Sequence, residues 1–260
     1  MVLGAESSPG VSTGTETESR STGGQPEPRP RLPSETRGGV SPLFAVIVGL
    51  FVTSLITANI VAVKLVDVGG FTVPAGTITL FPLSYIFGDV LTEVYGFRQA
   101  RRVIWLGFAC NLLAVLAIYL TQVLPAPGYW NGQAAYERIL GYTPRLLGAS
   151  FAAYLVGEFA NSFVLARMKI MTGGRWLWSR TIGSTLIGEG FDSIFFITIA
   201  FIGTIPARAL GDTIVTAWLF KSGYEIVMTP VTYLVVGYLK RVEQSDVFDV
   251  GTSFSPLSLK

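Results

Sequence analysis

The chain has 260 residues, 50% of them hydrophobic and only 14% charged, with a formal net charge of +2. A typical soluble domain carries about 25% charged residues. A globule in water cannot hide so much apolar surface, whereas a helix bundle in lipid exposes it without cost. There is no histidine, and Cys110 is the single cysteine. His-ligated metals, Ser-His and Cys-His catalysis, thiolate zinc sites and an intrachain disulfide are therefore excluded, and no cofactor is expected. The small, scattered net charge gives no nucleic-acid footprint.

Residues 1–41 are rich in Ser, Thr, Gly, Pro and Glu without periodicity. Such a segment buries too little to offset its chain entropy and reads as a disordered tail, not as a secretory signal. From Leu43 to Val63 run 21 residues without a charge, enough to cross ~30 Å of hydrocarbon at ~1.5 Å per residue. Five more spans are predicted at Thr72–Val94, Arg102–Leu124, Pro144–Met168, Ser179–Gly203 and Ile214–Leu239. Pro74 and Pro82 interrupt the second, and Asp89 and Glu93 crowd its end, as in a broken helix that lines a cavity. The expected architecture is an all-α membrane protein with six transmembrane helices. It divides into a tail (1–41), a transporter domain (42–241) and an exposed C-terminal tail (242–260) in which Glu243 is an inert carboxylate.

Lys and Arg counts on alternate sides set the orientation. Fourteen fall on the side of the N-terminal tail, the second-to-third loop, the fourth-to-fifth loop and the C-terminus. Lys64, Arg138, Arg145 and Arg208 fall on the other, and Lys221 lies within a span. Both termini are expected in the cytoplasm, which requires an even number of spans.

Charges at membrane depth cost at least ~2.5–3.5 kcal/mol each on insertion scales, and here they cluster. The fourth span carries Gly157-Glu158-Phe159-Ala160-Asn161-Ser162, and the fifth carries Gly188-Glu189-Gly190-Phe191-Asp192-Ser193. Both read Gly-Glu-x-x-[Asn/Asp]-Ser, and residues three apart share a helix face. The two spans run antiparallel, so the motifs can meet near the midplane, where transporters built from related halves hold their ligand. The competing reading is helix–helix glue, with small residues for close approach and polar groups bonding across. Ser and Asn would serve as glue more cheaply than acids. Further candidates are Lys221 with Glu225, four apart and able to pair along one face, Asn59 near the end of the first span, and Asp89. The Asp89–Glu93 pair also reads as a solvated helix end, and Lys64 as a snorkelling interface residue. Trp130, Trp176 and Trp178 fit an interfacial aromatic belt, while Phe159, Phe191 and Tyr154 lie beside the acids as packing or stacking groups.

The sequence resembles the queuosine precursor transporter family, a branch of the vitamin uptake transporters. The match rests on Ala58-Asn59-Ile60-Val61-Ala62-Val63-Lys64, on the block from Phe81 to Gly96 (Phe-Pro-Leu-Ser-Tyr-Ile-Phe-Gly-Asp-Val-Leu-Thr-Glu-Val-Tyr-Gly), and on Trp178 to Thr185 with Asp192-Ser193. Pro230, Tyr233 and the Phe248-Asp249 pair match too. The chain departs at Asn161, where many relatives carry Asp. The resemblance implies a six-helix inner-membrane importer of 7-cyano-7-deazaguanine or 7-aminomethyl-7-deazaguanine. Its expected substrate-binding residues are Glu158, Asn161, Glu189, Asp192, Asn59, Lys221, Glu225 and Asp89. A carboxylate would accept the paired ring N–H and amine donors of the base, and a second would balance the aminomethyl cation.

Two other classes of function compete. An intramembrane enzyme would use the acids as acid and base, but it lacks a nucleophile or metal set. The alternative importer is a substrate-binding subunit of a larger energised assembly. For that, Ala58-x-x-x-Ala62 offers a small-xxx-small face to an energising partner or a second copy. Reporter fusions after Gly128 and at Lys260 are expected to fall on opposite sides of the membrane; the same side for both would refute six spans.

Overall fold

The computed structural model describes residues 41–68, 71–141, 144–203 and 206–257. The tail expected at residues 1–41 lies outside these, except for Ser41. Helix α1 (Pro42–Val61) begins with Pro42 in its first turn, where a missing N–H costs nothing. The Ser41 hydroxyl accepts from the amides of Leu43 (3.2 Å) and Phe44 (3.5 Å) and so caps the helix.

The second span is not one interrupted helix. Strands β1 (Leu65–Val68) and β2 (Phe71–Pro74) pair antiparallel, with Leu65 opposite Pro74 and Val68 opposite Phe71. A short helix α2 (Ala75–Thr79) and then α3 (Phe81–Tyr95) follow. Pro74 closes the strand and Pro82 sits in the first turn of α3, so both prolines mark boundaries. At 15 residues, α3 spans only ~22 Å, short of the ~30 Å hydrocarbon core.

The remaining helices are α4 (Phe97–Val123), a short α5 (Gln133–Leu140) that the sequence did not announce, α6 (Pro144–Met171), α7 (Leu177–Phe201) and α8 (Ala207–Glu243). By length and composition, α1, α4, α7 and the helical stretch ending with α6 can each cross a membrane. With α3 and the 37-residue α8 they make an all-α, multi-pass membrane bundle. Helix α8 continues through Pro230. Exposed Leu113, Leu116 and Leu120 give α4 an apolar outer face, as lipid requires. The apolar core lies between α1, α3 and α4, around Phe51, Leu55, Val90, Val94, Phe97 and Ile104. Ala58, expected to offer a face to a partner, is fully buried, and a side chain at Gly76 would fall 2.3 Å from its carbonyl oxygen. Trp176 and Trp178 are exposed near the start of α7, as an interfacial belt requires.

Where α3 and α6 end, charges meet inside the bundle. Glu93 is fully buried, not solvated. Its Oε1 pairs with Arg180 (2.7 Å), Lys240 (2.7 Å) and Lys169 (3.6 Å). Lys169 and Lys240 also reach Asp246, at 2.6 and 2.8 Å. Burial pushes the Asp246 carboxyl up, but the hydrogen bonds from Lys169 and Lys240 outweigh it and hold it below the usual carboxylate range. Its depressed value makes this contribution present at neutral pH and lost only as acid protonates it.

The segment after α8 is not a free tail. Asp249 is buried and its Oδ2 accepts from the Phe97 amide (2.8 Å), capping α4. Arg101 donates to the carbonyls of Ser253 and Ser255, both at 2.8 Å, and Trp105 donates to Pro256 O at 2.9 Å. Arg167 lies 4.9 Å over the Phe254 ring. Glu243 is half-buried and accepts from Ser41 at 2.5 Å, which ties the end of α8 to the start of α1. It is therefore a poor choice of inert carboxylate. Gly96 joins α3 to α4 at φ +83°, and a Cβ there would meet Val247 at 2.7 Å. Only glycine fits both the backbone and the strap beneath it.

Removing one partner of a buried ion network leaves uncompensated charge, at a cost of about 3–5 kcal/mol. Glu93→Gln is expected to lower the melting temperature of the detergent-solubilised protein by several degrees. An unchanged melting curve would show that the network is not what holds this end together.

Candidate functional site

Helices α6 and α7 form the most extensively packed pair in the bundle. Two glycines allow it. A Cβ on Gly157 would lie 2.9 Å from the Cβ of Asp192 and 3.1 Å from Gly188 O. A Cβ on Gly188 would lie 2.7 Å from the Cβ of Asn161 and 3.0 Å from Gly157 O. Each glycine thus faces the residue four positions after the other glycine. The repeated motif is a reciprocal contact between antiparallel helices, and the glue reading holds for its glycines.

The acids bond across helix interfaces too, but they leave buried acceptors unmet. Glu158, Glu189 and Asp192 are all buried, and Glu158 lies within electrostatic reach of the other two. Helix α3 contributes Asp89, fully buried, whose Oδ1 accepts from Asn161 Nδ2 at 2.7 Å. Gly88 supplies a gap beside it, since a Cβ there would meet Glu158 Oε2 at 3.0 Å. Helix α8 contributes Lys221 and Glu225. Lys221 does not pair along its own helix with Glu225 as expected. It crosses to α7, bonding Asp192 Oδ2 and standing 3.1 Å from Glu189 Oε2, with the Phe81 ring centred 5.5 Å from its ammonium. The reason is geometric: Glu225 faces α3 and α7, within reach of Asp89 and Glu189.

Of the residues expected to bind substrate, Asp89, Glu158, Asn161, Glu189, Asp192, Lys221 and Glu225 therefore converge. Asn59 bonds Leu55 O (3.1 Å) and Asn111 Oδ1 (3.4 Å), contacts that belong to the α1–α4 interface. The candidate stacking groups point elsewhere: Phe159 packs on Trp105, Tyr154 donates to Ile104 O, and Phe191 is 42% exposed on the outer face. Asp89 and Glu93, one turn apart, serve different sites.

Several polar atoms around the acids are buried without a partner. They are Asp89 Oδ2, Glu158 Oε2, Glu225 Oε1, Asn161 Oδ1, Ser193 Oγ and Ser222 Oγ. Buried polar groups are almost always bonded, and this concentration of unmet acceptors and hydroxyls makes the cluster the candidate site. Tyr85 and Thr185 add hydroxyls to the wall. Neither is among the residues expected to bind substrate, although Tyr85, Gly88, Asp89 and Thr92 recur at helical spacing as one polar stripe. The exposed groove on α8, lined by Leu219, Phe220, Gly223, Tyr224 and Val227, is apolar and belongs to the outer surface.

A multi-pass bundle that encloses a buried polar cluster between four of its helices has the build of a small-molecule transporter. A family described as "Putative vitamin uptake transporter" matches residues 74–235, the stretch that contains the whole cluster. The chain belongs to this family. It is 30% identical over 202 residues to the "Probable queuosine precursor transporter" of Bacillus subtilis, covering 76% of this chain and 87% of that one. It is also 32% identical over 153 residues to the "Queuosine precursor transporter" of Escherichia coli, covering 58% and 66% of the two chains. A Haemophilus influenzae protein named as a probable queuosine precursor transporter is 29% identical over 126 residues, covering 48% and 51%. No solved structure matches.

Overpacking a tight contact costs about 1–3 kcal/mol, whereas alanine for glycine in an open helix position gains up to about 1 kcal/mol. Gly188→Ala is expected to lower the melting temperature, and Gly223→Ala, with no atom within 4 Å of its Cβ, to hold or raise it. Equal effects at the two positions would mean that α6 and α7 do not meet at these glycines.

Proposed function

We propose that the chain imports queuosine precursors, 7-cyano-7-deazaguanine and 7-aminomethyl-7-deazaguanine, across the inner membrane as a six-span carrier. Both termini lie in the cytoplasm, and residues 42–241 form the transport domain. The observation that carries the reading is the set of unmet buried polar atoms between α3, α6, α7 and α8, in a chain whose relatives bear that name. Asp192, salt-bridged to Lys221, accepts the ring N–H and exocyclic amine of the base. Asn161 or Lys221 supplies the donor for the carbonyl oxygen, and Glu189 holds Lys221 in place. Glu158, which no cation approaches among the described residues, faces the substituent at position 7.

An amide in place of an acceptor carboxylate keeps the shape but presents a donor to a donor. The mismatch costs ~1–3 kcal/mol, or roughly 5–150-fold in affinity. Glu158→Gln and Asp192→Asn are expected to lose uptake of radiolabelled aminomethyl base in proteoliposomes while still inserting. Asp212→Asn, on an exposed stretch of α8, is expected to match wild type. Wild-type rates for both cluster variants across a range of substrate concentrations would make these acids structural.

A further inference from the structure

Asp89, Glu158, Glu189, Asp192 and Glu225 gather around one lysine, and that lysine is engaged by Asp192 and Glu189. No other cation reaches the cluster among the described contacts, because Lys169, Arg180 and Lys240 are committed to Glu93 and Asp246 at the end of the bundle. Glu158 is 1% exposed and its Oε2 has no partner. The titratable groups within electrostatic reach of it are Tyr85 and Asp89 from α3, Tyr154 on its own helix, and Glu189 and Asp192 from α7. From α8, Glu225 stands behind Asp89, and Lys221 is turned to α7. None of the groups within that reach offers a positive charge. An ionised carboxylate in that position would be neutralised by whatever cation can reach it, and in the closed, empty site that cation is a proton.

We infer that Glu158 holds a proton when the site is closed and empty, and that a cationic base binds by exchanging its ammonium for that proton. The step balances: a carboxylic acid and an ammonium give a carboxylate–ammonium pair and one proton released to the solution that loaded the substrate. An uncharged base leaves the proton where it is. The site thus tells its two ligands apart by charge, with total charge in the closed state the same for both. This rests on the reading of the cluster as a deazaguanine site.

The test uses purified full-length protein in lightly buffered detergent solution, with a pH-indicator dye, titrated with each base. The aminomethyl base is expected to release about one proton per molecule bound, and its apparent affinity to rise by up to about tenfold per pH unit while Glu158 remains protonated. The cyano base is expected to release none and to bind with pH-independent affinity. Glu158→Gln is expected to abolish the release. Binding of neither base would overturn the substrate reading itself. Binding of both with equal proton release, or of the aminomethyl base with none, would overturn the exchange alone. Release that persists in Glu158→Gln but vanishes in Glu225→Gln would move the proton to a different acid and overturn the assignment.

Discussion

The close approach of α6 to α7 at Gly157 and Gly188 is the constraint on which the site depends. Without Cβ atoms there, the backbones come near enough for each glycine carbonyl to lie about 3 Å from where the opposite side chain would begin. That approach fixes Asp192 and Asn161 against the facing helix and sets Glu158 and Glu189, one residue past each glycine, beside the crossing. Helices α3 and α8 then close the cluster with Asp89, Lys221 and Glu225. The motif therefore has two functions at adjacent positions. The glycines set the distance, and the polar residues use the space that the distance defines.

The bundle holds its charges in two separate places with opposite balance. At the end where α3 and α6 finish, three cations face two carboxylates, and each carboxylate bonds more than one of them. At the centre, five carboxylates face one lysine. A charge-paired network is suited to closing one end of a bundle, because each carboxylate meets more than one cation from within the chain. An unsaturated one is suited to a ligand, because the free energy of completing it becomes available only on binding. Asp89 and Glu93 show the contrast on one helix: four residues apart, one meets an amide and the other meets three cations.

The membrane class, the positions of most spans and the paired motif were legible because each is local: an apolar run, a proline, a repeated spacing. What was not legible was long-range pairing. Lys221 and Glu225 satisfy the helical pairing rule, yet Lys221 bonds α7, since a carboxylate across the interface is nearer than one on its own helix. The second span read as a single, interrupted helix because Phe71, Val73, Ile78 and Leu80 are all apolar. Only pairing with Leu65–Val68 shows that the first part is a hairpin. The C-terminal residues looked solvated because Ser, Thr, Asp and Gly dominate them. The bonds to Arg101 and Trp105 run through the backbone carbonyls of Ser253, Ser255 and Pro256, which no side-chain pattern reveals.

That C-terminal strap has a consequence for the order in which the protein is completed. The amide of Phe97 that opens α4 is capped by Asp249, 152 residues downstream. Arg101 and Trp105 likewise wait for Ser253, Ser255 and Pro256. At ~5–20 residues per second, roughly 8–30 s of synthesis separate a helix start from its cap. The first turn of α4 is therefore made long before its cap, and residues 249–256 lock an element synthesised well ahead of them.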